Sequence, residues 1–295
     1  MFKQKYKHPN PGKRKPMNEP RVYFVGGGPG DPELLTLKAY RVISDADVIL
    51  YDDLVGEEIL DIPDPATEFI HVGKRSSHIG RSTKQSDIHE LLISRAEVGR
   101  RVVRLQGGDP GIFGRLGEEM SALARAEIPF EVIPGISSIN ALPAVSGIPL
   151  THRGLASSFM VITGNQDPAK QHSALNWEAI AANILAGGTL VILMGVKRLS
   201  GNARALIRSG VPQEFPAAII EAATTEDEQI ITGNLASLPH QVETAGVRSP
   251  AIIIVGKPVT GRSDVLPALR TKPALQRNTL VRKRMRMLEE ERAFG

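Results

Sequence analysis

The chain has no cysteine among its 295 residues, only one tryptophan, and aromatic side chains at just 4%. Without cysteine there is no disulfide scaffold, no thiol nucleophile and no thiolate-bound zinc. No apolar run approaches the roughly 20 residues that a membrane helix needs. Met1 to Pro20 lack the hydrophobic stretch of a secretory signal, so a cytoplasmic protein is expected. His71, His78, His89, His152, His172 and His240 form neither an HxxxH nor an HExxH pair. They read as satisfied or solvent-exposed, and no metal is expected. No Gly-x-Ser-x-Gly elbow or Walker loop occurs either, which removes the commonest hydrolytic and nucleotide-cleaving machinery.

What remains is ordinary globular material, 41% apolar and 23% charged, long enough for two domains or one large one. The net charge of +4 first suggests a polyanionic partner such as nucleic acid. Its distribution argues otherwise. Residues 1–20 carry +5 and residues 261–295 carry +5, so residues 21–260 sum to −6. The basic ends carry few aromatics for base stacking, Phe2 and Tyr6 in one and Phe294 in the other, and nucleic acid is not expected as a partner.

Residues 1–20 are basic, proline-bearing and almost free of aliphatics, the composition of a disordered tail. From Arg21 onward β-branched runs alternate with amphipathic stretches. Strands are predicted at 22–25, 47–51, 69–72, 101–105 and 130–133, and helices at 32–43, 88–98, 118–126 and 138–145. This rhythm predicts an α/β domain over 21–149 with a mostly parallel sheet. It restarts after the Pro149–Gly154 segment, with the boundary near residues 147–155, giving a second α/β domain over 150–260. There the strands at 217–221 and 229–232 stand too close for a parallel crossover, so a mixed sheet is predicted. Residues 261–295 are read as a basic tail, helical over 282–292.

Three glycine-bearing turns follow predicted strands: Gly26-Gly27-Gly28-Pro29-Gly30-Asp31-Pro32, Gly107-Gly108-Asp109-Pro110-Gly111 and Pro134-Gly135-Ile136-Ser137-Ser138. Asp31 suits a helix N-cap and Pro32 the first helical position. The first turn is not a dinucleotide fingerprint, because Asp31 occupies the sixth position and Pro29 lacks the N–H of a phosphate cradle. Ligands of open α/β sheets bind beyond the carboxyl ends of strands, so three such turns predict a cleft there. Asp52 ends another strand on that edge. Ligand loops without a nucleophile suggest group transfer that relies on positioning.

The strings VYFVGGGPGDPELLTLKA, ILYDDLV, HVGKR, VVRLQGGDPGIFGR, VIPGISS, GIPLTHRGLASS, LVILMG, EAATT and SPAIIIVG, in order from Arg21 to Val259, resemble the tetrapyrrole methylase family. The resemblance implies two α/β domains forming a cleft, usually as a homodimer. It implies S-adenosylmethionine as methyl donor, leaving S-adenosylhomocysteine. The cofactor would be held by Pro29, Gly107, Gly108, Asp109, Ile112, Ser137, Ser138, Met194 and Ala223. The YD-x-LV, VGKR and GIPLTHRG strings imply uroporphyrinogen III as acceptor, methylated twice through precorrin-1 to precorrin-2, toward siroheme and cobalamin. A later precorrin or, as a more distant alternative, RNA would be the other acceptors within the superfamily. Asp52, Lys74 and Met194 would be catalytic, with Asp52 a base. Lys74, Arg75, Arg104, Arg115 and Arg153 would meet the carboxylates of the acceptor, which arginine forks suit. Gln106, Gly111, Leu116, Val145 and Asn165 depart from residues common in the family, and are expected near the cleft.

Overall fold

The computed structural model describes residues 21–73, 83–166, 175–225 and 227–269. Two five-stranded sheets organise it. The first half contains β1 (Val22–Gly26), α1 (Leu37–Ser44), β2 (Val48–Tyr51), α2 (Glu57–Leu60), β3 (Glu68–His71), α3 (Gln85–Glu97), β4 (Val102–Gln106), α4 (Leu116–Arg125), β5 (Phe130–Ile133) and α5 (Ser138–Val145). The second contains β6 (Ser158–Thr163), α6 (Trp177–Leu185), β7 (Gly188–Leu193), α7 (Leu199–Arg208), β8 (Pro216–Glu221), β9 (Gln229–Asn234), α8 (Leu238–Thr244), β10 (Ala251–Val255) and α9 (Arg262–Val265).

The first sheet runs β3-β2-β4-β1-β5, with every pairing parallel. Its central strands are buried along their whole length, as expected when helices cover both faces. On one face Phe24, Leu50 and Val102 pack with Leu92 of α3 and Leu123 of α4. On the other, Val25, Ile49 and Leu105 pack with Ala39 and Ile43 of α1. The chain therefore leaves β1 toward one face and β4, its neighbour, toward the other. That divergence opens a crevice at the ends of β1 and β4, where the Gly26 and Gly107 turns stand.

The second sheet runs β6-β7-β10-β8-β9. β6 and β7 are parallel and the other pairs antiparallel, as the short spacing predicted. The α6, α7 and α8 helices cover one face through Ile184, Leu206 and Leu238. The opposite face is covered from the first half: Ala141 and Leu142 of α5, with Ile148 just beyond it, pack on Val191, Ile220 and Ile252. Hydrophobic burial thus joins the halves.

Three details differ from the sequence reading. The helix predicted over 32–43 is two elements, because the segment contains two caps. Asp31 Oδ1 accepts from Glu33 N at 2.9 Å and starts a 3₁₀ turn over Pro32–Leu34. Leu35 is then extended, and Thr36 Oγ1 accepts from Ala39 N at 3.1 Å to start α1. The short α2 and α8 were not predicted, α8 because Pro239 near its start reads as a loop signal. Residues 261–269, assigned to the tail, fold against the end of α5, where Arg262 Nε donates to Ser146 O at 2.9 Å. The N-terminal tail, Lys74, Arg75, His78, His172 and the helix predicted over 282–292 lie outside the described residues.

Candidate active site

The three turns meet backbone to backbone. Gly28 and Gly108 exchange hydrogen bonds, 3.2 Å from Gly28 N to Gly108 O and 2.7 Å in return. A Cβ on Gly26 would lie 2.5 Å from Gly135 Cα, and one on Gly135 would lie 2.2 Å from Gly108 O. No side chain fits these approaches. Asp109 ties the last two turns together, its Oδ1 accepting from Gly111 N at 2.8 Å and its Oδ2 from Gly135 N at 3.0 Å. Its carboxylate therefore shapes the loop from within. Gly108, at φ +70°, would meet only Ser137 and Ser138 backbone atoms at 3.8 Å, so its outer side is open. Ser137 caps α5 and Ser138 begins it.

The second half closes this edge. Leu193 and Glu221, the last residues of β7 and β8, pair with Ile252 and Ala251 at the start of β10, so both strands end at one rim. Met194 and Ala222 follow them with left-handed φ values of 55° and 44°, and Thr224 adopts 71°. A left-handed residue other than glycine costs about 1–2 kcal/mol. Five of the six among the described residues lie in the loops of this edge: Phe113, Arg115, Met194, Ala222 and Thr224. Such concentration of strain marks functional loops. Thr224 Oγ1 donates to Pro29 O at 3.3 Å, which brings Ala223 beside the first turn.

Contacts thus connect Pro29, Gly107, Gly108, Asp109, Ser137, Ser138 and Ala223, and Met194 stands on the facing rim. Met194 is 49% exposed and Ile112 42%, apolar surface left uncovered in the loops. Asp52 is half-buried, its Oδ1 accepting from Leu54 N at 3.0 Å and Gly107 N at 3.4 Å. It therefore also anchors the second turn.

The cations are distributed otherwise than expected. Arg104, assigned to the acceptor, is only 5% exposed and pairs with Glu119 at 3.3 Å. Its charge is spent between β4 and α4, because the strand's alternation turns it toward the helices. Gln85 Nε2 donates to the same carboxylate at 2.8 Å. Arg115 is exposed and donates to both Glu118 oxygens, at 2.9 and 2.6 Å. That hydrogen bond holds the Glu118 carboxyl below its ordinary range and raises Arg115 further, so Arg115 stays charged. Arg153 is exposed in the turn that His152 N closes on Ala156 O at 2.9 Å.

Of the five departures, Gln106 is buried and donates to Gly114 O at 2.8 Å, holding the strained 113–115 turn. Gly111 is exposed in the second turn, and Leu116 opens α4. Val145 packs on the second sheet and Asn165 is exposed just beyond β6. The pair of His71 and Asp53, joined at 2.9 Å, went unread in the sequence. Only the parallel pairing of β2 with β3 brings those residues together. Among the described residues no group of three metal-ligating side chains forms, and no helix is long and apolar enough to cross a membrane.

Peptide groups, two hydroxyls and apolar side chains at a topological switch point define an α/β enzyme that positions its ligands rather than attacking them. The chain belongs to the tetrapyrrole (corrin/porphyrin) methylase family, whose model matches residues 21–239. It is 48% identical over 254 residues to the S-adenosyl-L-methionine-dependent uroporphyrinogen III methyltransferase of Methanosarcina barkeri, covering 86% of this chain and 97% of that one. The uroporphyrin-III C-methyl transferase of Thermus thermophilus, solved with S-adenyl homocysteine, is 41% identical with a TM-score of 0.67, covering 81% of this chain and 99% of that one. A cobalt precorrin-4 methyltransferase of cobalamin biosynthesis superposes with a TM-score of 0.71 at 26% identity, over 81% of this chain and 95% of that one. The two superpositions differ little, and the higher identity favours the uroporphyrinogen enzymes as guides to the acceptor.

Proposed function

We propose that this chain transfers methyl groups from S-adenosylmethionine to uroporphyrinogen III, twice, through precorrin-1 to precorrin-2, feeding siroheme and cobalamin formation. The observation that carries the proposal is the stacked cradle of Gly26, Gly108 and Gly135, closed by the Met194 and Ala223 rim. Its donor set suits this cofactor. Backbone amides and the Ser137 and Ser138 hydroxyls offer polar contacts, while Met194 and Ile112 offer apolar ones. When bound, S-adenosylmethionine supplies an electrophilic methyl on a sulfonium sulfur.

The residues of the chain then have to align and to accept a proton. The acceptor is an electron-rich pyrrole carbon, so no Ser, Cys or Lys nucleophile is needed. Alignment is worth several kcal/mol when reacting atoms are held near contact. Met194, held in its left-handed conformation, and the 107–109 backbone provide rigid walls for it. One proton must leave the macrocycle after each transfer. Asp52 is the carboxylate that Gly107 N reaches, with Oδ1 engaged by peptide N–H groups and Oδ2 left to receive a proton. Arg153 and Arg115 would meet the acceptor's carboxylates, together with Lys74 and Arg75. The Arg104 guanidinium, committed to Glu119, would act only through the shape of the 106–115 loop.

The reading includes a homodimer, a cytoplasmic location and two domains divided near residues 149 and 150. Light scattering tests the first. Two measurements test the chemistry. Calorimetry is expected to detect binding of S-adenosylmethionine to the whole chain. Asp52→Ala is expected to slow turnover about a hundredfold, as loss of a general base does, with cofactor affinity within about twofold. Turnover equal to wild type would remove Asp52 as the base, and absence of cofactor binding would contradict the reading altogether.

A further inference from the structure

Two side chains at the outer end of the same sheet edge have no part in the reaction as assigned above. His71 closes β3 and lies in register with Tyr51, the last residue of β2. Its Nε2 is 2.9 Å from Asp53 Oδ1, and the two side chains are 30% and 27% exposed. An ionised carboxylate only accepts hydrogen bonds, so Nε2 carries the hydrogen and Nδ1 holds the lone pair. The Tyr51 ring lies against the imidazole, with centroids 5.1 Å apart. Gly73 closes the other side: a Cβ there would lie 2.5 Å from Asp53 Oδ1 and 2.7 Å from His71 Nε2. Val72 N donates to Tyr51 O at 2.8 Å and fixes the strand beneath. The imidazole is thus held in one orientation while keeping access to solvent, and its partner Asp53 directly follows Asp52 in the chain.

A histidine oriented by a carboxylate at one nitrogen, with the other unbonded among the described residues, has the arrangement of a general base. Imidazole is also about two pKa units more basic than a carboxylate in ordinary surroundings. We propose that His71, oriented by Asp53, is a second proton-accepting group of this site. The proposal rests on the methyl-transfer reading. In each transfer the carbon–methyl bond forms as the sulfur–methyl bond breaks, the sulfur keeps the electron pair, and one proton leaves the macrocycle. His71 Nδ1 takes that proton, becomes an imidazolium paired with Asp53, and returns the proton to water before the second transfer. Two successive transfers on one acceptor require such a reset, and a group at the solvent edge provides it.

The test uses the full chain with uroporphyrinogen III and S-adenosylmethionine. Wild type, His71→Ala, His71→Asn and His71→Gln are compared with and without added imidazole, alongside cofactor affinity by calorimetry. A base role predicts a kcat lower by about tenfold or more in all three variants, short of the full general-base factor because Asp52 remains. It also predicts unchanged cofactor affinity and partial recovery of His71→Ala on adding imidazole. A kcat equal to wild type overturns it. So does a loss that His71→Gln repairs while imidazole does not, since that pattern means the hydrogen bond to Asp53 is purely structural. Should His71→Ala fail to fold, His71→Asn, which keeps a polar side chain of similar reach, decides the matter. A wild-type chain that binds the cofactor without methylating uroporphyrinogen III overturns the functional reading and this proposal with it. An active wild type with unaffected variants overturns the His71 role alone.

Discussion

Gly135 and Met194 define the site by opposite means, one by having no side chain and the other by holding a large one in a costly backbone conformation. A methyl group on Gly135 would collide with Gly108 O and Gly26 Cα, both backbone atoms that cannot rotate away. Gly135→Ala is therefore expected to destabilise the fold by about 3 kcal/mol, the upper range for overpacking, measured by urea denaturation. An unchanged midpoint would mean the turns are not pressed together. Met194→Ala is expected to weaken S-adenosylmethionine binding about tenfold by calorimetry, through loss of apolar contact worth about 1–2 kcal/mol. Equal affinity would remove Met194 from the cofactor's wall. At this scale the sequence was only partly legible. Gly107, Gly108 and Ser137 could be read as a ligand edge because they follow strands. The commitment of Arg104 to Glu119 could not, because it joins residues 15 apart that only the packing of α4 on β4 brings within 3.3 Å. The same holds for Asp109, whose carboxylate crosses to Gly135.

Among the elements, the strands were the most legible, since fully buried runs such as 22–25 and 251–255 consist almost wholly of β-branched and aromatic residues and are bounded by glycine, proline or charge. Helix starts were less so. Asp31 and Thr36 are both good N-caps, and a periodic apolar pattern runs across them, so the two elements read as one. The separate cap predicts a separate cost. Thr36→Ala is expected to lose about 1 kcal/mol, the usual value for an N-cap hydroxyl. A melting temperature identical to wild type would mean that α1 is not held by this bond. The mixed character of the second sheet followed from loop length alone, because the residues between β8 and β9 are too few for a crossover.

Across the whole molecule, the missing cysteines and the acidic body between basic ends take on a common sense. A reaction that needs alignment and a proton acceptor asks for no thiol, and an acceptor bearing carboxylates asks for a few local cations rather than a basic surface. What no periodicity could announce is that α5, which begins at the third glycine-bearing turn, packs its other residues on the second sheet. That single helix ties the cradle to the rim that closes it. The central claim is that this closed edge carries out two methyl transfers to one macrocycle. It is tested most directly by incubating the full chain with uroporphyrinogen III and methyl-labelled S-adenosylmethionine and counting labelled methyl groups in the product by mass spectrometry. The account predicts a product with two labelled methyl groups, reached through a singly labelled intermediate. An unlabelled macrocycle recovered from a chain that binds the cofactor, with label passing instead to a later precorrin or to RNA, would contradict it.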